Sequence, residues 1–353
     1  VATVPVAVEG FRWKLSQAPR PQGELFEEKP EVHVGRGEFL GMDFLHVRSR
    51  TLINEVKGGV PLPFRHTINV YRGCSHACTY CFARPTHEYL GLGAGEDFER
   101  KIVVKVNALD VLARELDPRR WPGHPIAMGT NTDPYQRCEG KYRLTQGVIR
   151  LLSEARNPFS VLTKSTLVLR DVGLLAEAAT RTQVRVDLSI GTLDEDVWRL
   201  TEPGAPNPKR RMRAVEALNE AGVPCGVLMG PVLPGLSDSE EQIQAVVDAA
   251  IDAGAVSLGA VVLHLRPGVK EHVMGWLPTA RPELVERYEH LYRRGAYAKD
   301  EQARVSEIVR QAVARRGGPR TLPSTTRGMP AVPEPASETT PEPDPSEQLG
   351  LSL

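Results

Sequence analysis

The sequence predicts an α/β fold: a partial (β/α)6 barrel or a strongly curved open sheet, with an N-terminal extension before it, helices after it and a disordered tail. Three observations lead there. Short apolar runs alternate with helical patterns between about residues 66 and 264. Strand, helix, strand in series implies parallel strands joined by right-handed crossovers. A chain of 353 residues suits one such barrel with attachments. In sheets of this kind the chemistry collects at the C-terminal ends of the strands.

Taken in order, residues 1–60 carry scattered Pro and Gly and read as an irregular extension packed on the main domain. Six strands are expected at 66–71, 126–129, 159–163, 184–190, 223–229 and 257–263. Helical patterns lie between them. Residues 145–155 place Val148, Ile149, Leu151 and Leu152 on one side, and 209–221 do the same with Met212, Val215 and Leu218. The segment 237–253 repeats Ile243, Val246, Val247 and Ile251, with Ser237 expected as N-cap and Glu240 completing a capping box. Helices alone are expected over about 269–315. From Gly317 onward Pro, Ser, Thr and Glu dominate, too polar a mixture to bury a core, so the tail is expected to be disordered. The division is therefore an extension at 1–60, a core at 61–316 and a tail at 317–353.

The 41% hydrophobic and 25% charged content is that of a soluble globular protein. No apolar run reaches the length of a membrane span. The apolar start, 1–10, is short and lacks the basic residues of a secretion signal. The expectation is a cytoplasmic protein without a membrane partner. Residues 331–353 hold five acidic groups and no basic one, which leaves 44 basic against 39 acidic, a net of +5, over 1–330. That excess permits a nucleic-acid partner without demanding one.

Three of the five cysteines fall within eight residues, Tyr71-Arg-Gly-Cys74-Ser-His-Ala-Cys78-Thr-Tyr-Cys81. Such crowding suits a metal site in a reducing compartment rather than a disulfide framework. The spacing C-x3-C-x2-C follows the first expected strand and brings three thiolates toward one centre. Thiolates are the usual ligands of iron–sulfur clusters, and three of them on four irons leave one iron open to a small molecule. The alternative is a structural zinc ion, which needs a fourth ligand. His76, Cys138 and Cys225 are available for that role, but no second knuckle is present.

This motif resembles the signature of the radical S-adenosylmethionine (SAM) superfamily, and more narrowly its spore photoproduct lyase-like branch, including an actinobacterial group of uncharacterised proteins. Further segments carry the likeness over about 64–300: Asn69-Val-Tyr-Arg-Gly-Cys74, Thr132-Asp-Pro-Tyr-Gln136, Leu162-Thr-Lys-Ser165, Leu169-Arg-Asp171 and Glu202-Pro-Gly-Ala-Pro206. The resemblance implies a barrel of the radical SAM type with a 4Fe–4S cluster on Cys74, Cys78 and Cys81. It implies SAM bound at the open iron, cleaved by one electron to a 5′-deoxyadenosyl radical that takes hydrogen from a substrate. It also implies an electron donor such as a ferredoxin or flavodoxin. Four residues match SAM contacts of the family: Tyr80 against the adenine, Lys164 on the carboxylate, Ser189 at the end of the fourth strand, and Thr132 after the second. Taken as bare residues, Tyr80 fits core packing equally well, and a serine in a strand such as Ser189 is usually incidental.

One departure bears on activity. Spore photoproduct lyases carry a hydrogen-donating cysteine where this chain has Thr130, and threonine has no thiol to give. Cys138 follows eight residues later, and Cys225 sits in an apolar strand where an inert buried thiol is the default. Pro134 biases Asp133 toward an extended backbone, aiming Asp133 or Tyr135 at the barrel mouth or simply forming a turn. Lys209-Arg-Arg-Met-Arg213 reads as a solvated helix face or as a grip on phosphates. The functional expectation is an enzyme acting on an unknown substrate, with a nucleic acid and a DNA-repair role among the options. The alternative is a non-catalytic iron–sulfur sensor or partner-binding protein, which would more naturally complete its cluster with a fourth cysteine. The end of the chain, Gln348-Leu-Gly-Leu-Ser-Leu353, resembles peptides that dock on the bacterial DNA sliding clamp.

Overall fold

The computed structural model describes residues 30–56 and 64–318. The expected tail, with its 348–353 segment, lies outside the described residues apart from Gly317 and Gly318, as do positions 1–29 and 57–60 of the expected extension.

Eleven strands form two sheets among the described residues. They are β1 (Glu31–Val34), β2 (Asp43–Val47), β3 (Ile53–Glu55), β4 (His66–Ile68), β5 (Tyr71–Arg72), β6 (Lys101–Lys105), β7 (Ile126–Met128), β8 (Phe159–Thr163), β9 (Val184–Ser189), β10 (Cys225–Val232) and β11 (Leu258–Val262). The larger sheet has the order β11-β10-β9-β8-β7-β4-β3. Its six strands from β4 to β11 are mutually parallel, and β3 closes one edge antiparallel to β4. The two edge strands do not pair with each other, so the barrel is partial, as the sequence predicts.

The helices are α1 (Glu96–Arg100), α2 (Ala108–Glu115), α3 (Glu139–Tyr142), α4 (Leu144–Glu154), α5 (Val172–Arg181), α6 (Glu195–Thr201), α7 (Pro208–Glu220), α8 (Glu240–Asp252), α9 (Val269–Ala280), α10 (Val285–Leu291) and α11 (Lys299–Arg315). The apolar faces read from the sequence are buried: Val148, Ile149 and Leu152 on α4, Val215 and Leu218 on α7, and Ile243, Val246 and Val247 on α8 all join one core with the sheet. The β11 edge is covered as well. Gln302 of α11 accepts from Val262 N at 2.8 Å and donates to the Ala260 carbonyl at 3.1 Å, using backbone groups that would otherwise lie unpaired.

Three expectations change. The cap of α8 is Ser239, whose hydroxyl accepts from Gln242 N, and Gln242 completes the capping box; Ser237 instead accepts from Leu233 N at 2.9 Å. The expected strand 66–71 breaks after Ile68, where the Asn69 side chain reaches Thr130 and Asn131 across the sheet. Tyr71 and Arg72 then pair with β6 in a second sheet, β1-β2-β6-β5. That sheet and β3 also place three strands between residues 31 and 55, where the sequence reads as irregular.

Candidate active site

The cysteine loop leaves β5 through Gly73, whose φ of +77° is the left-handed conformation that glycine tolerates best. Cys74 and Cys78 are buried, Cys81 is partly exposed, and all three thiols are free. Backbone bonds fold the loop on itself, from Ala77 N to the Cys74 carbonyl and from Cys81 N to the Cys78 carbonyl, both 3.3 Å.

Several side chains brace this loop from outside. Arg84 is fully buried, and its guanidinium gives two hydrogen bonds to the Cys78 carbonyl at 3.0 and 2.9 Å. Gln136 donates to the Gly73 carbonyl at 3.0 Å and accepts from Ser75 N at 3.1 Å. Thr132 donates to the same Gly73 carbonyl at 2.6 Å. His76 Nδ1 lies 3.3 Å from Asp133 Oδ2. Asp133 accepts in addition from Thr163 Oγ1 and Lys164 N, tying the loop to the end of β8. Burial would raise the Asp133 pKa, but His76 and these hydrogen bonds outweigh it and hold the carboxyl below its ordinary range.

On the other side, the Gly204 amide donates to the His76 carbonyl at 3.0 Å. A Cβ on Gly204 would run into the Ser75 carbonyl oxygen, so the Glu202-Pro-Gly-Ala-Pro206 segment docks backbone to backbone on the loop.

Beside the loop, the ends of β8, β9 and β10 meet in one polar group. Lys164 Nζ donates to Ser189 Oγ at 2.6 Å and to the Gly230 carbonyl at 3.1 Å, and it lies 3.2 Å from Glu202 Oε1. The same ammonium is 5.6 Å from the centre of the Tyr80 ring, and the Tyr80 hydroxyl donates to Glu202. Arg211 pairs with the other Glu202 oxygen and donates to the Ser189 carbonyl at 2.8 Å. Burial would raise the Glu202 pKa, but Arg211 and Lys164 outweigh it and hold the carboxyl at about 2. The group is therefore ionic and almost dry.

Of the four expected SAM contacts, the structure brings Tyr80, Lys164 and Ser189 together. Thr132 stands apart, bonded under the cysteine loop. Tyr135 points into the core, where its hydroxyl donates to Asp171 at 3.0 Å, while Asp133 faces the loop. Arg211 belongs to the run that the sequence reads as a solvated face or a phosphate grip, yet it is only 1% exposed. Glu202 opens one of the segments that carry the family likeness, but nothing local marks either Glu202 or Arg211 as a member of a buried ion pair.

The thiols fit a metal centre. Burial raises the pKa of each, with Cys78 pushed up to about 12, so they carry thiolate charge only when a metal takes it up. The remaining cysteines sit elsewhere in the core, Cys138 beside Glu139 and Cys225 beside Asp187 and Arg185.

A family model, the Radical SAM superfamily, matches residues 68–247, more than half of the chain. The chain belongs to the Radical SAM superfamily. Membership implies a 4Fe–4S cluster and SAM. An uncharacterised protein of Mycobacterium tuberculosis is 45% identical over 277 residues, covering 78% of this chain and 81% of that one. An uncharacterised protein of Methanocaldococcus jannaschii is 28% identical over 199 residues, 56% of this chain and 71% of its own. Among solved structures, spore photoproduct lyase complexed with dinucleoside spore photoproduct superposes with a TM-score of 0.56 at 19% identity, over 77% of this chain and 79% of that one. At that identity the likeness is one of fold. Among the described residues, no helix is long and apolar enough to cross a membrane.

Proposed function

We propose that this radical SAM protein is an enzyme that cleaves SAM reductively and uses the resulting radical on a nucleic-acid substrate. The observation that supports the SAM site is the meeting of Ser189, Glu202 and the Tyr80 ring around the Lys164 ammonium beside the cysteine loop. Cys74, Cys78 and Cys81 would hold the 4Fe–4S cluster. When bound, the reduced cluster and SAM supply a 5′-deoxyadenosyl radical. The chain's own residues bind and orient. The Lys164 ammonium faces a carboxylate in the resting protein and is suited to receive that of SAM, with Glu202 retaining Arg211 and Tyr80 as partners. The Tyr80 ring offers a flat apolar surface beside that cation. Arg84, Gln136 and His76 keep the loop in shape.

Thr130, bonded to Asn69 at 3.3 Å, holds the place of the lyase branch's hydrogen-donating cysteine. Cys138 is fully buried away from the loop, beside Tyr71 and Tyr142. The reaction thus differs from repair of the spore photoproduct in how its product radical is quenched. A nucleic-acid substrate is supported by the lyase neighbours, whose bound ligand is a dinucleoside, and by the clamp-like 348–353 segment. A small reductant protein would deliver the electron.

The test is anaerobic incubation of the iron-loaded protein with dithionite and SAM. Formation of 5′-deoxyadenosine and methionine is expected, and its absence at full iron loading rejects the enzyme reading. Adding single- and double-stranded oligonucleotides should raise the rate if the substrate is a nucleic acid. A purified clamp from the source organism should retain the 348–353 peptide but not one with Gln348→Ala and Leu351→Ala.

A further inference from the structure

A second cluster of metal-ligating side chains lies on the smaller sheet. In the antiparallel pairing of β1 with β2, Glu31 stands opposite His46 and His33 opposite Phe44. The two-residue period of a strand therefore puts Glu31, His33 and His46 on one face. A carboxylate oxygen and one imidazole nitrogen from each histidine all lie within 4.8 Å of one another. The imidazoles are 3.9 Å apart between ring centres and tilted by 34°.

Two details distinguish this from chance crowding. His33 Nε2 is 3.0 Å from Glu31 Oε1, yet it is hidden from solvent and makes no hydrogen bond of good geometry. The two atoms form an ion pair when His33 is protonated, and at that separation they can both reach one ion when it is not. His46 Nε2 is 2.7 Å from the Tyr142 hydroxyl. With that hydroxyl accepting, the proton sits on Nε2 and Nδ1 keeps its lone pair. Metal-binding histidines generally hand their second N–H to such an outer partner.

We propose that Glu31, His33 and His46 form a binding site for a divalent transition-metal ion, separate from the cysteine loop. Two imidazoles and a carboxylate are the donor set of zinc and its first-row neighbours. Glu31 is largely exposed, so water can complete the coordination. The ion would tie the edge strand β1 to β2, the strand that carries β6 and, through it, the entry to the cysteine loop.

The experiment is calorimetric titration of the full-length, cluster-loaded protein with Zn2+ under anaerobic conditions. With the cysteines occupied by iron, the wild type is expected to bind one further ion at micromolar concentration. His33→Ala, His46→Ala and Glu31→Gln should each weaken that binding about tenfold or more, with iron content unchanged. Tyr142→Phe keeps the ring but removes the acceptor for His46, and should also lose about tenfold or more, as outer partners typically do. Glu31→Gln, on an exposed side chain, leaves the fold intact and keeps the test decisive. No Zn2+ uptake by the wild type at a hundred micromolar, or equal uptake by all four variants, overturns the site.

Discussion

The ammonium nitrogen of Lys164 lies 2.6 Å from the hydroxyl oxygen of Ser189, joining the ends of two neighbouring parallel strands. Lys164 has three N–H donors, and Ser189, the Gly230 carbonyl and Glu202 take all three. A SAM carboxylate would replace the longest of these contacts, that to Glu202. Lys164→Ala is expected to weaken SAM binding by about ten- to a hundredfold, the equivalent of one charged hydrogen bond of about 1.5–3 kcal/mol. Ser189→Ala should act in the same direction by freeing the ammonium to swing. Both variants should retain iron, and titrations of iron-loaded protein that match the wild type in both would remove the SAM role of this pair.

Replacement of Cys74, Cys78 or Cys81 by Ala is expected to abolish iron binding. Cys138→Ala and Cys225→Ala should keep about four irons per chain, the stoichiometry of one 4Fe–4S cluster. Iron and sulfide assays after anaerobic reconstitution decide this. Loss of iron in Cys138→Ala as complete as in Cys78→Ala would show that a fourth thiol closes the centre.

The six parallel strands are legible in the sequence because each is an apolar run followed by a helical period, as in 159–163, which matches β8 residue for residue. The smaller sheet is not. β1 is mostly exposed, β5 has two residues, and β6 is a three-residue apolar run between lysines. Its order also depends on pairing β2 with β6, more than fifty residues apart, which local pattern does not encode. The site divides in the same way. The cysteines and Lys164 are recognisable because their spacing or position at a strand end carries the signal. Glu202 is legible only as part of a matching segment and Arg211 only as part of a charge run, until the fold buries them against each other.

That buried pair predicts a stability effect. Arg211→Met removes the partner of a carboxylate that is 5% exposed and leaves the Ser189 and Pro206 carbonyls without their donor. Breaking one side of a buried pair costs about 3–5 kcal/mol, and the low end is expected here because Lys164 still faces Glu202. The pH dependence has a definite sign. Glu202 is held down from 4.5 to about 2, so its pairing stabilises the folded chain above pH 4.5 and is lost as the pH falls through 2. Urea midpoints taken across that window, on iron-free protein in both cases, should fall more steeply for the wild type than for Arg211→Met. Parallel curves would show that the pair is not what holds Glu202 ionised.

Gly204 offers a probe that leaves every charge in place. Its φ is not in the left-handed region, so alanine costs nothing in backbone conformation there. The obstacle is the added methyl, which would meet the Ser75 carbonyl oxygen and also stand 3.0 Å from His76 Cα. Both obstacles are backbone of the cysteine loop, and neither can rotate away. The loop itself is pinned on its far side by Arg84 and Gln136, so relief has to come from moving the 202–206 segment. That movement would draw Glu202 away from Lys164 and Tyr80. Gly204→Ala is therefore expected to keep its iron, since all three cysteines and their braces remain, while SAM affinity falls about tenfold or more, as for loss of one charged hydrogen bond. Gly173→Ala, on α5 with open space around the new methyl, serves as the control and should leave both quantities unchanged. If Gly204→Ala binds SAM as the control does, the contact between the two segments has no part in placing Glu202.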